Sequence, residues 1–372
     1  MLGITIWTGV ALVVAWLVAT SAESRSVLPL YRDAAANWHA RQPLYAGPLG
    51  MNYLPPFALL FLPFEALGFP AGDILWRLFA ASMLAWGLWR ICSRLAPDRA
   101  PERFLCVSVL SLLMFLSPLR YGQANAHLGG AMVCAVAMLL ERRWWPAASF
   151  LALCVWIKPL GLVLLLLAPL AYPAVALPGA VMLAAVFALP FAMAPADYVG
   201  AQYSAAIANL QSCSEVTENR FANVQGLVRA LGGDITPTFM RGIMLGAAAA
   251  VALLAWFHIR RMAEPRRAVG VLIVAATFLM LFNPMNEGNS FGIFAPAVAL
   301  MVAILVDVDG RTTLGRICAA LLALAAILPE ALRFATPALH LWLSPLMALA
   351  MGSLAAWLIL SRWPRAAEVQ GG

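Results

Sequence analysis

Apolar stretches about as long as a bilayer is thick recur along this chain, and nothing else constrains it so strongly. They cover residues 2–20, 73–92, 104–118, 125–140, 147–172, 177–194, 239–259, 268–282, 291–306, 316–333 and 338–360. A shorter one, 53–68, opens Tyr53-Leu54-Pro55-Pro56. A spanning helix takes about 20 apolar residues, and in hydrocarbon only helices and closed barrels satisfy the backbone. Composition agrees. Charged residues make up 11% and apolar ones 63%, against roughly 25% charged in soluble domains, so a soluble enzyme could not cover its surface. The same figures exclude disorder. Six cysteines thinly spread over 372 residues make no disulfide framework. The fold class is all-α: a polytopic membrane protein with a single domain over residues 1–372 and about twelve spanning helices.

The net charge of +7 reports arginine-rich short loops rather than a nucleic-acid partner. Arg90, Arg94, Arg99 and Arg103 cluster in one loop, Arg142 and Arg143 in the next, and Arg260, Arg261, Arg266 and Arg267 in a third. Arg311 and Arg316 sit in a fourth, and Arg362 and Arg365 in the tail. With all of these cytoplasmic, twelve helices result under two conditions. Residues 53–68 must form a re-entrant or interfacial helix, and 147–172 must be two short spans broken at Lys158-Pro159, where proline lacks an amide. Both termini are then cytoplasmic, and the loops 21–52 and 195–238 are external. No basic flank precedes Leu2, which favours an uncleaved first helix over a signal peptide. Cys213 is expected in a polar loop and Trp363 at the interface. No two-fold repeat is visible, unlike in many secondary transporters.

Chemistry-bearing residues gather in the external stretches. Residues 30–41, led in by Pro29, read as an interfacial helix. Tyr31, Ala34, Ala35 and Trp38 lie on one face, expected toward lipid, and Asp33, Asn37 and Arg41 line another. Asp33 is either a general base or a solvated acid paired with Arg32 or Arg41. Lys158 is a lone cation within an apolar run, which costs roughly 2.5–3.5 kcal/mol. It either binds an anion or is capped by carbonyls freed at Pro159. Arg120, Gln123, Asn125 and His127 form either a polar turn or a ligand contact. Within 209–233, Glu215, Glu218, Asn219 and Arg220 precede an amphipathic helix stopped by Gly232-Gly233.

Several of these segments together resemble a known family. An aspartate after the first helix is followed by an Ala-rich helix, Gln42-Pro43-Leu44-Tyr45 and Tyr53-Leu54-Pro55-Pro56. Then come Gly122-Gln123-Ala124-Asn125, Trp156-Ile157-Lys158-Pro159, Asn223-Val224-Gln225-Gly226-Leu227 and Asn283-Pro284. In order and spacing this resembles glycosyltransferase family 87, the α-mannosyltransferase-like polyprenyl-phosphate-dependent enzymes of the GT-C fold. The chain departs from the family at Asn286-Glu287-Gly288-Asn289-Ser290, where Asn289 stands in place of an expected histidine.

The resemblance implies transfer of a hexose, such as mannose, from a polyprenyl monophosphate to an acceptor hydroxyl on a lipid or glycan. The transfer is expected at the external face of a bacterial inner membrane, with inversion. Asp33 would be the base, and Lys158, Arg120 and Arg220 would hold the donor phosphate. Tyr45, Tyr53, Gln123, Asn125, Asn223, Glu287 and Asn289 would contact substrate. No nucleotide is involved, so no metal or cofactor is expected. The partners are the donor, the acceptor and membrane lipids, without nucleic acid. A transporter or lipid flippase, a non-catalytic scaffold and a ligase acting on diphosphate-linked glycans are the alternatives.

Overall fold

Prolines and glycines decide where the helices of this chain begin and stop. The computed structural model describes residues 2–20, 26–46, 51–214, 221–332, 334–336 and 338–361. Arg220, with Glu215, Glu218 and Asn219, lies outside the described residues, as do Arg362, Trp363 and Arg365. Among the described residues run sixteen α-helices and no strand. α1 (Leu2–Thr20) leads into the short α2 (Leu28–His39) and α3 (Pro56–Ala66). α4 (Ala71–Leu95), α5 (Ala100–Arg120) and α6 (Ala124–Leu140) follow. Two short helices, α7 (Trp144–Ile157) and α8 (Leu162–Ala171), precede α9 (Ala176–Met193), α10 (Ala196–Ser214) and α11 (Val224–Ala230). The rest comprises α12 (Pro237–Phe257), α13 (Arg266–Phe282), α14 (Ala295–Ala303), α15 (Thr312–Ala331) and α16 (Leu339–Ser361).

Seven helical segments are long and apolar enough to cross a membrane, against the twelve expected. They are Leu2–Thr20, Pro97–Arg120, Pro173–Met193, Pro237–Arg261, Gly288–Val308, Thr312–Ala331 and Leu339–Ser361. Apolar but shorter are Pro56–Ala66, Ala124–Leu140, Trp144–Ile157 and Pro159–Ala171. α6 is the axis, buried from Ala124 to Leu139 and packed against α4, α7 and α13. Its His127 stacks on Trp76 of α4 at a centroid distance of 3.6 Å. Two turns beyond His127, Cys134 donates to the Met83 carbonyl at 3.0 Å.

Ion pairs among the described residues gather at the two ends of this bundle. At one end Arg32 of α2 pairs with buried Asp73 of α4 at 2.7 Å, and Arg77 donates to the Asp73 carbonyl at 3.0 Å. At the other, Arg90 donates to Glu141 at 2.7 Å and Arg266 pairs with Asp309 at 2.7 Å, while Arg103 pairs with Asp307. There Glu264 accepts from Tyr172 at 2.7 Å, and burial raises its carboxyl above the usual range.

The break at Lys158 is real. α7 ends at Ile157, Lys158 is extended at φ −156°, and a short 3₁₀ turn, Pro159–Gly161, reverses the chain. The reversal brings Gly161 so close to α7 that an added Cβ would sit 2.3 Å from the Cys154 carbonyl carbon. Gly161→Ala should therefore cost about 1–3 kcal/mol, the usual range for overpacking. A several-degree fall in Tm in detergent checks it.

Three expectations need correction. The aromatic face of α2 does not meet lipid: Tyr31 and Trp38 are each 2% exposed and packed inside the protein. A phenol and an indole carry polar atoms that need partners, and Tyr31 finds its own in the protein interior. α2 also stops at His39, so Arg41, at φ +57°, leaves the stripe of Asp33 and Asn37. It donates instead to the Met193 carbonyl at 2.8 Å. Finally, the stretch after Pro195 is not a loop. It forms α10, and Cys213 falls within that helix. The amphipathic helix expected over 209–233 is reduced to α11, ended by Gly232 at φ +84°.

Candidate active site

A cavity of about 310 Å³ opens at the end of the bundle where α2, α6, the α7–α8 break, α10 and the 283–290 segment converge. Val27, Leu30, Met51, Leu160 and Leu210 give it apolar walls, and Lys158, Glu287 and a few amides and hydroxyls give it polarity. That mixture suits a ligand with a greasy part and a polar head.

Lys158 is the one cation lining this cavity among the described residues. Its Nζ donates to Asn125 Oδ1 at 3.0 Å, and Asn125 Nδ2 donates to Ser290 Oγ at 3.3 Å, so the amide orientation is fixed from both sides. Local sequence explains the placement. Proline at 159 ends α7, so Lys158 becomes its C-cap, where a cation faces the negative end of the helix dipole. Gln123, extended at ψ 141°, starts α6 and points that helix's positive N-terminus to the same cavity.

Tyr53 stacks on Phe57 with centroids 4.2 Å apart, and the Lys158 ammonium lies 6.0 Å from the Tyr53 ring centroid. Behind it, Tyr45 donates to the Tyr53 carbonyl at 2.7 Å. Burial pushes the Tyr45 hydroxyl well up. The 283–290 wall is locked to the segment before α11. Asn286 Nδ2 donates to the carbonyls of Ala222 and Met280, each at 2.7 Å, and Ala222 N–H donates to the Asn286 carbonyl at 2.6 Å. Asn286→Ala leaves two buried carbonyls unpaired, at about 1–3 kcal/mol each. We expect a lower Tm together with loss of ligand affinity, measured on the same detergent-purified sample.

The structure thus brings Tyr53, Gln123, Asn125, Lys158 and Glu287 onto one cavity. Other expected residues stand elsewhere. Asp33 is exposed and does not line the cavity, but Leu30 does, and Asp33 and Asn37 continue that stripe at i+3 and i+7. Arg120 is exposed near Tyr121, with its carbonyl accepting from Arg77 at 3.2 Å. Asn223 caps α11 by accepting from Gly226 N–H at 2.9 Å, and it donates to the carbonyls of Asn283 and Pro284. Asn289 accepts from Ser117 Oγ and does not line the cavity. Sequence reasoning missed Tyr31, Asn52, Met285 and Ser290, which also line it. Tyr31 carried a signal, since a tyrosine on a buried face needs a partner for its hydroxyl.

The sequence profile of glycosyltransferase family 87 matches residues 52–284, more than half of the chain. The chain belongs to glycosyltransferase family 87. The match spans Tyr53, Gln123, Asn125, Lys158 and Asn223, whereas Asp33, Tyr45, Glu287 and Asn289 lie outside it. In structure this family 87 chain is similar to ArnT from Cupriavidus metallidurans, crystallised with undecaprenyl phosphate. The TM-score is 0.50 at 16% identity, covering 96% of this chain and 78% of that one. At that identity the likeness speaks to the fold. No curated protein sequence matches the chain. The chain is therefore a family 87 glycosyltransferase with an all-helical membrane architecture.

Proposed function

We propose that the chain transfers a hexose, with mannose the first candidate, from a polyprenyl monophosphate to a hydroxyl of a lipid or glycan acceptor. The observation that carries this reading is Lys158, held by Asn125 at the break between two short apolar helices and facing a cavity with greasy walls. A polyprenyl phosphate has the matching parts, an anionic head on an apolar tail. The structural likeness to a protein bound to undecaprenyl phosphate supports the same donor class.

In the reaction, the sugar C1–O bond to phosphate breaks as the acceptor oxygen bonds to C1 from the opposite side, which inverts the anomeric centre. The acceptor proton passes to the Asp33 carboxylate, and the electron pair of the broken bond stays on the phosphate. Lys158 and the N-terminus of α6 stabilise the charge that develops there. Phosphate is a competent leaving group without protonation, so one base suffices. Asp33 is the candidate because it is exposed and stands at i+3 from the cavity-lining Leu30 on α2. The arginines gathered at the opposite end of the bundle favour a cytoplasmic location for that end, with the cavity facing outward across the bacterial inner membrane. With short α7 and α8 each crossing part of the bilayer and α3 re-entrant, twelve spans result.

The test is a transfer assay on protein in lipid vesicles, with radiolabelled polyprenyl-phosphate-mannose as donor and a membrane lipid extract as acceptor. Label in a new product is expected. Movement of donor across the vesicle driven by an ion gradient, without a new product, would replace this reading with a transporter.

A further inference from the structure

The hydrogen bonds around Tyr31 fix which way a proton must point at Tyr53. Tyr31 is 2% exposed, and its oxygen accepts from the Ala124 N–H at 3.1 Å. Its only other partner among the described residues is the Tyr53 hydroxyl, 2.8 Å away. A phenol has one proton and must place it somewhere when buried. If Tyr53 donated to Tyr31, the Tyr31 oxygen would accept twice, and its own proton, on a side chain 2% exposed, would have no acceptor among the described residues. The satisfied arrangement is the other one: Ala124 N–H donates to Tyr31, and Tyr31 donates to Tyr53. The Tyr53 oxygen is then an acceptor within the pair, and its own proton has no acceptor among the described residues. Tyr53 is half-buried, and it lines the cavity beside Lys158. Burial pushes the Tyr31 hydroxyl up to about 12 and that of Tyr53 well above its ordinary value, so both stay protonated donors.

We infer that the Tyr31–Tyr53 pair is a directional relay that aims the Tyr53 hydroxyl into the cavity, where it and Lys158 bind a non-bridging phosphate oxygen of the lipid. This rests on the donor reading above and adds to it a neutral donor and the residue that orients it. Lys158 supplies charge with rotatable N–H groups, whereas Tyr53 supplies one fixed direction. The pair would hold the phosphate in a single orientation rather than merely attract it. Tyr31 is a positioning residue, acting through Tyr53.

The experiment measures binding to the full chain in nanodiscs of three probes: undecaprenyl phosphate, undecaprenol and inorganic phosphate. Wild-type protein is expected to bind undecaprenyl phosphate well above undecaprenol. Tyr53→Phe keeps the stacked ring and removes only the hydroxyl. It should weaken undecaprenyl phosphate about tenfold, as expected for a hydrogen bond to a charged group, and leave undecaprenol unchanged. The ³¹P resonance of the bound lipid should shift, which a purely structural role would not cause. Should Tyr53→Phe lose stability by stranding the Tyr31 proton, the Tyr31→Phe/Tyr53→Phe double variant must show the same loss of discrimination. Unchanged discrimination in the folded Tyr53→Phe or double variant overturns the relay while leaving the donor reading intact. Wild-type protein that treats the phosphate and the alcohol alike overturns the donor reading itself, and the relay with it. Inorganic phosphate competing at concentrations equal to the lipid overturns the assignment to a lipid headgroup.

Discussion

Asparagine at position 33 is expected to abolish sugar transfer, with the rate falling about 10²–10⁴-fold, the contribution of a positioned general base. The substitution preserves size and removes the basic oxygen. Asp33 is exposed on α2 and has no ion pair among the described residues, because Arg32 is turned to Asp73 and Arg41 to the Met193 carbonyl. Its loss should therefore leave Tm and donor affinity at wild-type values, and the defect should fall on kcat rather than on KM for the donor. Wild-type rates in Asp33→Asn would remove Asp33 from the chemistry. Glu287, the one carboxylate lining the cavity among the described residues, would then be the next base to test.

Removing the ammonium at position 158 should have the opposite signature. Lys158→Ala is expected to raise KM for the donor, or lower its affinity, by about 10–100-fold, the range for a charge-assisted hydrogen bond. Acceptor dependence should change little. Since the lysine stands in an apolar run, its removal relieves an insertion cost and should not lower Tm. Lys158→Arg keeps the charge but brings a planar fork to a place built for a point charge held by Asn125 Oδ1, so only part of the affinity should return. Isotherms for undecaprenyl phosphate on the three proteins read this directly. Equal affinity in wild type and Lys158→Ala would place the phosphate elsewhere.

Much of the bundle was legible because its causes are local. Lys158-Pro159 announced a break within a long apolar run, and the break lies there. Pro55-Pro56 announced a short helix, and α3 starts there. What failed was the environment of a correctly drawn face. Periodicity put Tyr31 and Trp38 together but not against protein, because lipid and a helix-bundle interior are equally apolar to a hydropathy argument. α10 was read as a loop because its polar residues look outward in sequence. In the fold, its Gln202 accepts from Leu44 N–H at 2.9 Å and its Asn209 donates to Met51 and Asn52, tying down the first external segment.

The candidate site shows the same division. Each of Tyr53, Gln123, Asn125, Lys158 and Glu287 could be singled out one by one, as a residue type out of keeping with its surroundings. Their convergence could not be, since Lys158 meets Asn125 across 33 positions and Asn125 meets Ser290 across 165. In the Arg32–Asp73–Arg77 cluster, Asp73 and Arg77 carried an i, i+4 signal, but the contact of Arg32 across 41 positions carried none. Arg77 stands four residues after Asp73 on α4, and Arg32 reaches the same buried carboxylate from α2.

In the proposed complex the phosphate of a polyprenyl monophosphate sits against Lys158. An experimental structure of the full chain in lipid with undecaprenyl phosphate tests it most directly. Phosphate density is expected within hydrogen-bonding distance of Lys158 Nζ, with the lipid chain leaving along the Leu30 and Leu160 wall. Phosphate density against Arg120, or anywhere that leaves Lys158 bonded to Asn125 alone, would contradict it.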